Sequence, residues 1–161
     1  MYKDYLLFIN NKNKSNIDGF FYNIEKFKPS FKNGFFNHDE KKKLKDFIIR
    51  LYYFIISKKI LYIYYVYDGN TIVHTSYVMG KNYKFKFMKN NDLFIGPCNT
   101  KSEYRGKSIY PYILNFISNE YNSNCYVLIR KENTASIRGI VKSNYIFLRF
   151  SQKNNIFKIY K

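Results

Sequence analysis

DLFIGPCNTKSEYRGKSIYPY, residues 92–112, is the stretch on which the reading of this chain turns. Asp92–Cys98 is an apolar run that reads as a strand, and a short polar loop containing Arg105-Gly106-Lys107-Ser108 follows it. A helix then begins with Pro111 in its first turn, where the missing N–H removes no intrahelical bond. A strand that passes through a loop into a helix gathers several unpaired backbone N–H groups at one helix N-terminus, and that arrangement suits a phosphate group. Gly106 allows the tight turn and a close approach of backbone to the anion, because it has no side chain.

Working outward, the helix is expected over Lys107–Tyr121, followed by a strand at Asn124–Arg130, a helix at Asn133–Lys142 and strands at Tyr145–Phe150 and Asn155–Tyr160. Upstream, Ile60–Tyr67 and Thr71–Met79 alternate with period two around Asp68-Gly69-Asn70, a hairpin signature. A third strand around Tyr83–Met88 and a fourth at Asp92–Cys98 would continue them as an antiparallel meander. Before these, Asn37 or Asp39 is expected to cap a helix that carries Leu44, Phe47, Ile48, Leu51, Phe54 and Ile55 and ends near Lys58. Tyr5–Ile9 reads as a short strand and Ser15 to about Phe27 as a weak helix. The strand–loop–helix–strand series requires a crossover and some parallel pairing, so the fold class is α+β with a mixed sheet.

The chain has 161 residues, 46% hydrophobic and 24% charged, which fits one folded domain over 1–161 rather than a disordered tail. Its net charge is +17. Lys supplies 23 of the cations and Arg 5, whereas Arg is the residue of bidentate phosphate and base recognition. The charge therefore reads as a Lys-rich surface open to anionic small molecules, with nucleic acid disfavoured as a partner. Lys81–Lys89, which interleaves Lys with Tyr and Phe, is the best candidate for a nucleic-acid surface, yet its alternation reads better as a half-buried strand. Cys98 and Cys125 form neither a disulfide framework nor a zinc spacing, so reduced thiols, no metal and a cytoplasmic location are expected. Residues 51–57 and 60–67 fall short of the roughly 20 apolar residues that span a bilayer, and Tyr5–Ile9 is too short for a signal-peptide core, so no membrane insertion is expected.

Glu103-Tyr104-Arg105-Gly106-Lys107-Ser108-Ile109-Tyr110 resembles the coenzyme A pyrophosphate loop of the GNAT superfamily of N-acetyltransferases, written Gln/Arg-x-x-Gly-x-Gly/Ala. Asn133, Ser136 and Lys142 match that family's downstream motif, an Asn closing a strand, a small residue three on, a helix and then Lys-x-Gly-Phe. The two motifs cover roughly Asp92–Phe150. Ser108 and Tyr110 depart from the small residues of the loop, Asn144-Tyr145 replaces Gly-Phe, and Ile140 stands where many members carry a Tyr that protonates the leaving thiolate. The wording around Ile95-Gly96-Pro97-Cys98 is similar to that of small bacterial members associated with surface-polysaccharide amino-sugar synthesis.

The resemblance implies a mostly antiparallel central sheet with a parallel splayed pair and about four flanking helices. It also implies acetyl transfer from acetyl-CoA to a primary amine by direct attack in a ternary complex. The pyrophosphate would lie on backbone N–H groups of Gly106, Lys107, Ser108 and Tyr110, helped by the side chains of Arg105 and Lys107. The pantetheine arm would run along Cys98, Asn99 and Thr100, with Asn133 and Ser136 on its far side, and a backbone N–H near Cys98 would stabilise the oxyanion. His74 is the candidate general base, against the plainer reading of a histidine packed on a strand face. His38 beside a helix cap and Glu103 beside the loop cations read as structural. With Ile140 unable to supply it, the proton for the leaving thiolate is expected from water or from a nearby hydroxyl such as Tyr145 or Ser136, or the thiolate departs unprotonated. The Cys98 thiol reads as a strand residue rather than an acyl acceptor. The expected acceptor is a small-molecule amine, most specifically an amino deoxysugar linked to a nucleotide, and the protein a monomer or homodimer. A protein or peptide acceptor, or a non-catalytic basic module that binds nucleic acid, are the alternatives.

Overall fold

A computed structural model describes residues 3–11, 20–37, 43–154 and 159–160. In chain order the elements are β1 (Lys3–Asn10), β2 (Asn23–Phe27), α1 (Leu44–Ile56), β3 (Leu61–Asp68), β4 (Thr71–Gly80), β5 (Leu93–Thr100), α2 (Ile109–Glu120), β6 (Cys125–Arg130), α3 (Thr134–Val141) and β7 (Tyr145–Lys153). The seven strands form one sheet in the order β2-β3-β4-β5-β6-β1-β7. Every neighbouring pair is antiparallel except β5 and β6, which are parallel. The expected mixed, mostly antiparallel α+β sheet is therefore what is found.

Strand composition explains the layers. β3 (LYIYYVYD) is almost continuously apolar because both of its faces are covered. On one face α2 and α3 set Ile109, Ile113, Leu114, Ile117 and Ile140 against Phe8, Val66, Val78, Ile95 and Val127. On the other, Phe54 of α1 and the loop residues Phe35, Phe85 and Met88 pack on Leu7, Leu61, Met79, Phe94 and Tyr126. Consecutive residues such as Leu7 and Phe8, or Phe94 and Ile95, serve opposite cores, as the pleat dictates. β1 lies inside the sheet, paired with β6 on one side and β7 on the other.

Several local expectations change. Three α-helices, rather than about four, occur among the described residues, together with a short 3-10 turn at Ser102–Tyr104. Asn23–Phe27 is the edge strand β2 and not the end of a weak helix: it pairs with Ile63–Tyr67, and Lys26 reaches across to Glu120. The start of that expected helix lies outside the described residues. Tyr83–Met88 is not a strand. The Asn82 side chain accepts from Lys84 N at 3.0 Å, and i→i+3 bonds close at Phe85 and Met88, so two turns bury Phe85 and Met88 three residues apart. The meander still has four strands, β2 to β5, with the extra strand at its other end. α1 begins at Leu44 with no side-chain cap, and the expected cap residue Asn37 instead donates from Nδ2 to Tyr67 Oη. Asp39 and His38 lie outside the described residues, as does most of the strand expected at Asn155–Tyr160, of which Tyr160 bridges Phe85 and Lys153. Among the described residues no helix is long and apolar enough to cross a membrane.

Candidate functional site

β5 and β6 pair only at Leu93↔Cys125 and Phe94↔Tyr126, and beyond that point their facing edges separate. β5 also bulges against β4, where the register slips between Ser76 and Val78 opposite Gly96-Pro97. Gly96 takes φ 144, a backbone geometry that side chains seldom adopt. The unpaired edges leave main-chain donors and acceptors available along Pro97–Asn99 and Val127–Ile129, a place where the amides of an extended ligand can pair.

The bulge sets Ser76 opposite Cys98 and His74 opposite Thr100. Their side chains form a hydrogen-bonded row: Thr100 Oγ1 lies 2.6 Å from His74 Nδ1, His74 Nε2 lies 2.7 Å from Ser76 Oγ, and Ser76 Oγ donates to Cys98 Sγ at 3.2 Å. Because the Ser76 proton goes to sulfur, its oxygen accepts from Nε2–H, and Nδ1 then accepts the Thr100 hydroxyl proton. A neutral imidazole is thus satisfied at both nitrogens. Burial, with His74 at 1% exposure, draws its pKa down to about 4, and burial pushes the Cys98 thiol up to about 11. At neutral pH both groups are uncharged.

This has a consequence for acid stability. An unfolded histidine titrates near 6.5, so between that value and about 4 the unfolded chain binds the proton that the folded chain refuses, and stability falls as pH drops through this window. Above pH 6.5 the term vanishes. Its full size is on the order of 3 kcal/mol, and His74→Gln is expected to flatten this part of a urea-denaturation series against pH. An equally steep fall in the variant would assign the effect to another group.

A groove of about 1330 Å³ passes through the splay. At one end lie Cys98, Asn99, Thr100, Arg105, Gly106, Ser108, Tyr110, Asn133 and Ser136, so the structure brings these sequence candidates together. Gly106 has φ 81 with open space where a Cβ would stand, and Ser108 enters α2 with φ 58 and no side-chain cap, which leaves the first N–H groups of the helix without a side-chain acceptor. That cradle fits a pyrophosphate, with the Arg105 guanidinium steered over the loop by its bond to Thr100 O at 3.3 Å. Lys107 does not line the groove; its Nζ sits 4.5 Å over the Tyr104 ring. Asn133 Oδ1 accepts from Ser136 N at 3.1 Å and caps α3, so its amide group alone remains for a ligand.

His74 lies in the wall behind this groove and borders a smaller cavity of about 370 Å³ with Asn99. Tyr145 is buried with its hydroxyl 2.5 Å from Ser118 Oγ, under α2, and is not part of the groove lining. Ile140 is wholly buried in the core. Of the tyrosines that line the groove, Tyr110 lies within electrostatic reach of Cys98, and burial raises its pKa well above the ordinary value. Its ring packs so closely on α3 that a Cβ at Gly139 would come within 2.6 Å of it. In the sequence Tyr110 stands out only for its backbone N–H in the loop, and Ser76 carries no motif. Ser76, two residues from His74 on one strand, shares its face, and that spacing was a usable signal.

The other end of the groove is aromatic, with Tyr5, Tyr53, Phe85, Phe94 and Tyr160, and it carries Lys84 and Lys153. Along its whole length the described lining holds six cations, Lys84, Arg105, Arg130, Arg138, Lys142 and Lys153, and no carboxylate. Among the described residues no cluster of His, Cys, Asp or Glu could hold a metal ion.

No protein-family model matches the sequence, and no curated protein matches it. Solved structures do. An acetyltransferase of the GNAT family from Colwellia psychrerythraea superposes with a TM-score of 0.61 at 13% identity, over 94% of this chain and 56% of that one. A protein assigned to the GNAT family from Novosphingobium aromaticivorans gives 0.59 at 11% identity, over 94% and 63%. A conserved protein of unknown function from Staphylococcus epidermidis gives 0.57 at 11%, over 93% and 60%. The chain spans less than two thirds of the length of each of these structures. With the splayed parallel pair and the loop before α2 in place, the chain has the fold of the GNAT acetyltransferases.

Proposed function

We propose that this protein transfers the acetyl group of acetyl-CoA to the amine of a small anionic acceptor, and that amino deoxysugars carried on a nucleotide diphosphate are the acceptor class. The observation that carries the reading is the groove through the splay, which joins the pyrophosphate cradle at Arg105–Tyr110 to an aromatic, lysine-bearing chamber with no carboxylate among the described residues along the way. A chamber of that charge attracts phosphate-bearing ligands and repels cationic peptides or polyamines. When bound, acetyl-CoA supplies the thioester carbonyl. The residues Arg105, Gly106, Ser108 and Tyr110 N–H would hold its pyrophosphate, and main chain along Cys98–Thr100 would pair with the pantetheine amides and offer an N–H to the carbonyl oxygen.

Two proton transfers remain, one from the attacking amine and one to the departing sulfur. His74 makes no direct contact with the groove, so a proton it receives at Nδ1 arrives through the Thr100 hydroxyl, and its role is that of the far end of a relay. Tyr110 keeps its proton at neutral pH and faces the groove beside Cys98, which suits it to protonate sulfur.

CoA release measured with nucleotide-linked amino deoxysugars, the same amines without the nucleotide, polyamines and lysine peptides tests the proposal. The anionic acceptors should exceed the others in kcat/KM by at least ~10-fold; a preference for polyamines or lysine peptides overturns it. Gly106→Val tests the cradle. Chain neighbours aside, no described atom lies within 4 Å of the new Cβ, so the change adds backbone strain at φ 81 and fills the space meant for phosphate. Acetyl-CoA affinity should weaken by ~2 kcal/mol, one or two charge-assisted hydrogen bonds, and unchanged affinity in calorimetry would place the pyrophosphate elsewhere.

A further inference from the structure

We infer that α1 and the turn at Tyr83–Lys84 form a docking face for an anionic lipid bilayer surface, on which the protein lies without spanning it. This goes beyond the acetyl-transfer reading and does not depend on it. α1 (LKDFIIRLYYFII) carries only three charged residues. One of them, Arg50, is turned inward, donating to Phe35 O at 2.8 Å and Tyr77 Oη at 3.2 Å. Phe47, Leu51, Tyr53 and Phe54 serve the core, yet the outer side of the helix is largely apolar as well. Leu44 is 75% exposed, Ile48 56% and Ile55 64%, at spacings of four and seven that place them on one stripe. A helix that is apolar on its outer side as well as its inner one is a helix with something to cover it.

Charge says what covers it. Exposed Lys43 and Lys45 stand at the start of α1, and exposed Lys58 and Lys59 follow its end, both held at positive φ in the turn that closes it. Lys84 sits 4.5 Å over the ring of Tyr52, whose hydroxyl meets that of Tyr83 at 2.7 Å, an amphipathic pair suited to the headgroup level. Asp46, partly buried, is the acidic residue on the helix. An aliphatic stripe between lysine clusters is what an interfacial helix presents to acidic lipids. A second copy of a chain with net charge +17 would set these lysines against their own kind, and the stripe of Leu44, Ile48 and Ile55, unlike Tyr52 and Tyr83 beside it, offers no stacking platform to nucleic acid. Tyr53, Ile56 and Lys84 also line the groove, so a docked α1 turns the acceptor end of that groove towards the lipid surface.

Co-sedimentation of the full chain with vesicles of phosphatidylcholine, with and without one third phosphatidylglycerol, tests this. Binding should favour the anionic vesicles by at least ~10-fold and weaken with salt. The double variant Ile48→Asn, Ile55→Asn should lose at least ~10-fold of that binding while its circular dichroism and melting stay unchanged, because both side chains are already exposed. Equal binding to neutral and anionic vesicles, or full binding by the double variant, overturns the inference. So does a dimer in gel filtration that the double variant abolishes, which would make a second copy the occupant.

Discussion

Phe8→Asp is expected to leave no cooperative unfolding transition. Phe8 is 5% exposed and packs on Val127 and Phe147 from the middle of the sheet, in the cluster that also holds Ile113, Leu114 and Ile140. The substitution removes a buried aromatic side chain, a loss of about 3–5 kcal/mol when cut to Ala. It also places a carboxylate among apolar groups at a cost of several kcal/mol more. The sum reaches the whole stability of an ordinary domain, about 5–15 kcal/mol. Because β1 is the strand that joins β7 to β6, the damage would not stay local. Phe8→Leu keeps the site apolar and should lose no more than ~1.5 kcal/mol. Thermal melts of the two variants decide it: a Phe8→Asp protein melting within a few degrees of the parent would show that β1 is not an interior strand.

Tyr110→Phe is expected to lower kcat by ~10²–10³-fold, the range a positioned general acid supplies, with acetyl-CoA affinity nearly unchanged. The ring would still pack on Gly139 and only the hydroxyl would be gone. Tyr145→Phe removes a hydroxyl bonded to Ser118 away from the groove and should change kcat by less than ~10-fold. The reverse pattern, a several-hundredfold loss in Tyr145→Phe with its fold intact and a mild effect at Tyr110, would make Tyr145 the proton donor.

What was legible in the sequence followed periodicity and turn chemistry. The hairpin at Asp68-Gly69-Asn70, the helix after Ser108 and the crossover to Cys125 all carry local signals, and each lies within a few residues of where it was expected. Cys98–Thr100, most of the loop before α2 and the start of α3 at Asn133 and Ser136 meet in one groove, Lys107 excepted, because the chain order strand–loop–helix–strand–helix leaves little freedom in how they converge. Other features depend on long-range pairing, which no local pattern reports. β2 is a strand because Tyr64 and its neighbours offer an edge, not because NIEKF insists on it. Phe85 and Phe87 alternate with lysines like a strand, yet Asn82 folds the segment into turns that bury Phe85 and Met88 over the far core. The row Thr100–His74–Ser76–Cys98 needs the β5 bulge to bring its members into register, and a bulge between strands some 20 residues apart leaves little trace in either segment. Groove charge was half visible: the excess of Lys was plain, but not that six cations and no carboxylate would stand in the described lining of one groove.

The place of β1 also sets a timetable for the ribosome. Tyr5 pairs with Arg130 and Lys3 with Lys153, and Asn10 meets Cys125 across 115 residues, so β1 leaves the exit tunnel long before either of its partner strands has been made. At about 5–20 residues per second, an apolar segment reading YLLFI waits many seconds in water while β2 to β5 can already pair with one another. Its two neighbours emerge unpaired on the facing sides, and the sheet closes when this early strand slides between two late ones. Chaperone demand should therefore follow Lys3–Asn10, and slowing translation before residue 125 should lower the yield of native protein rather than raise it.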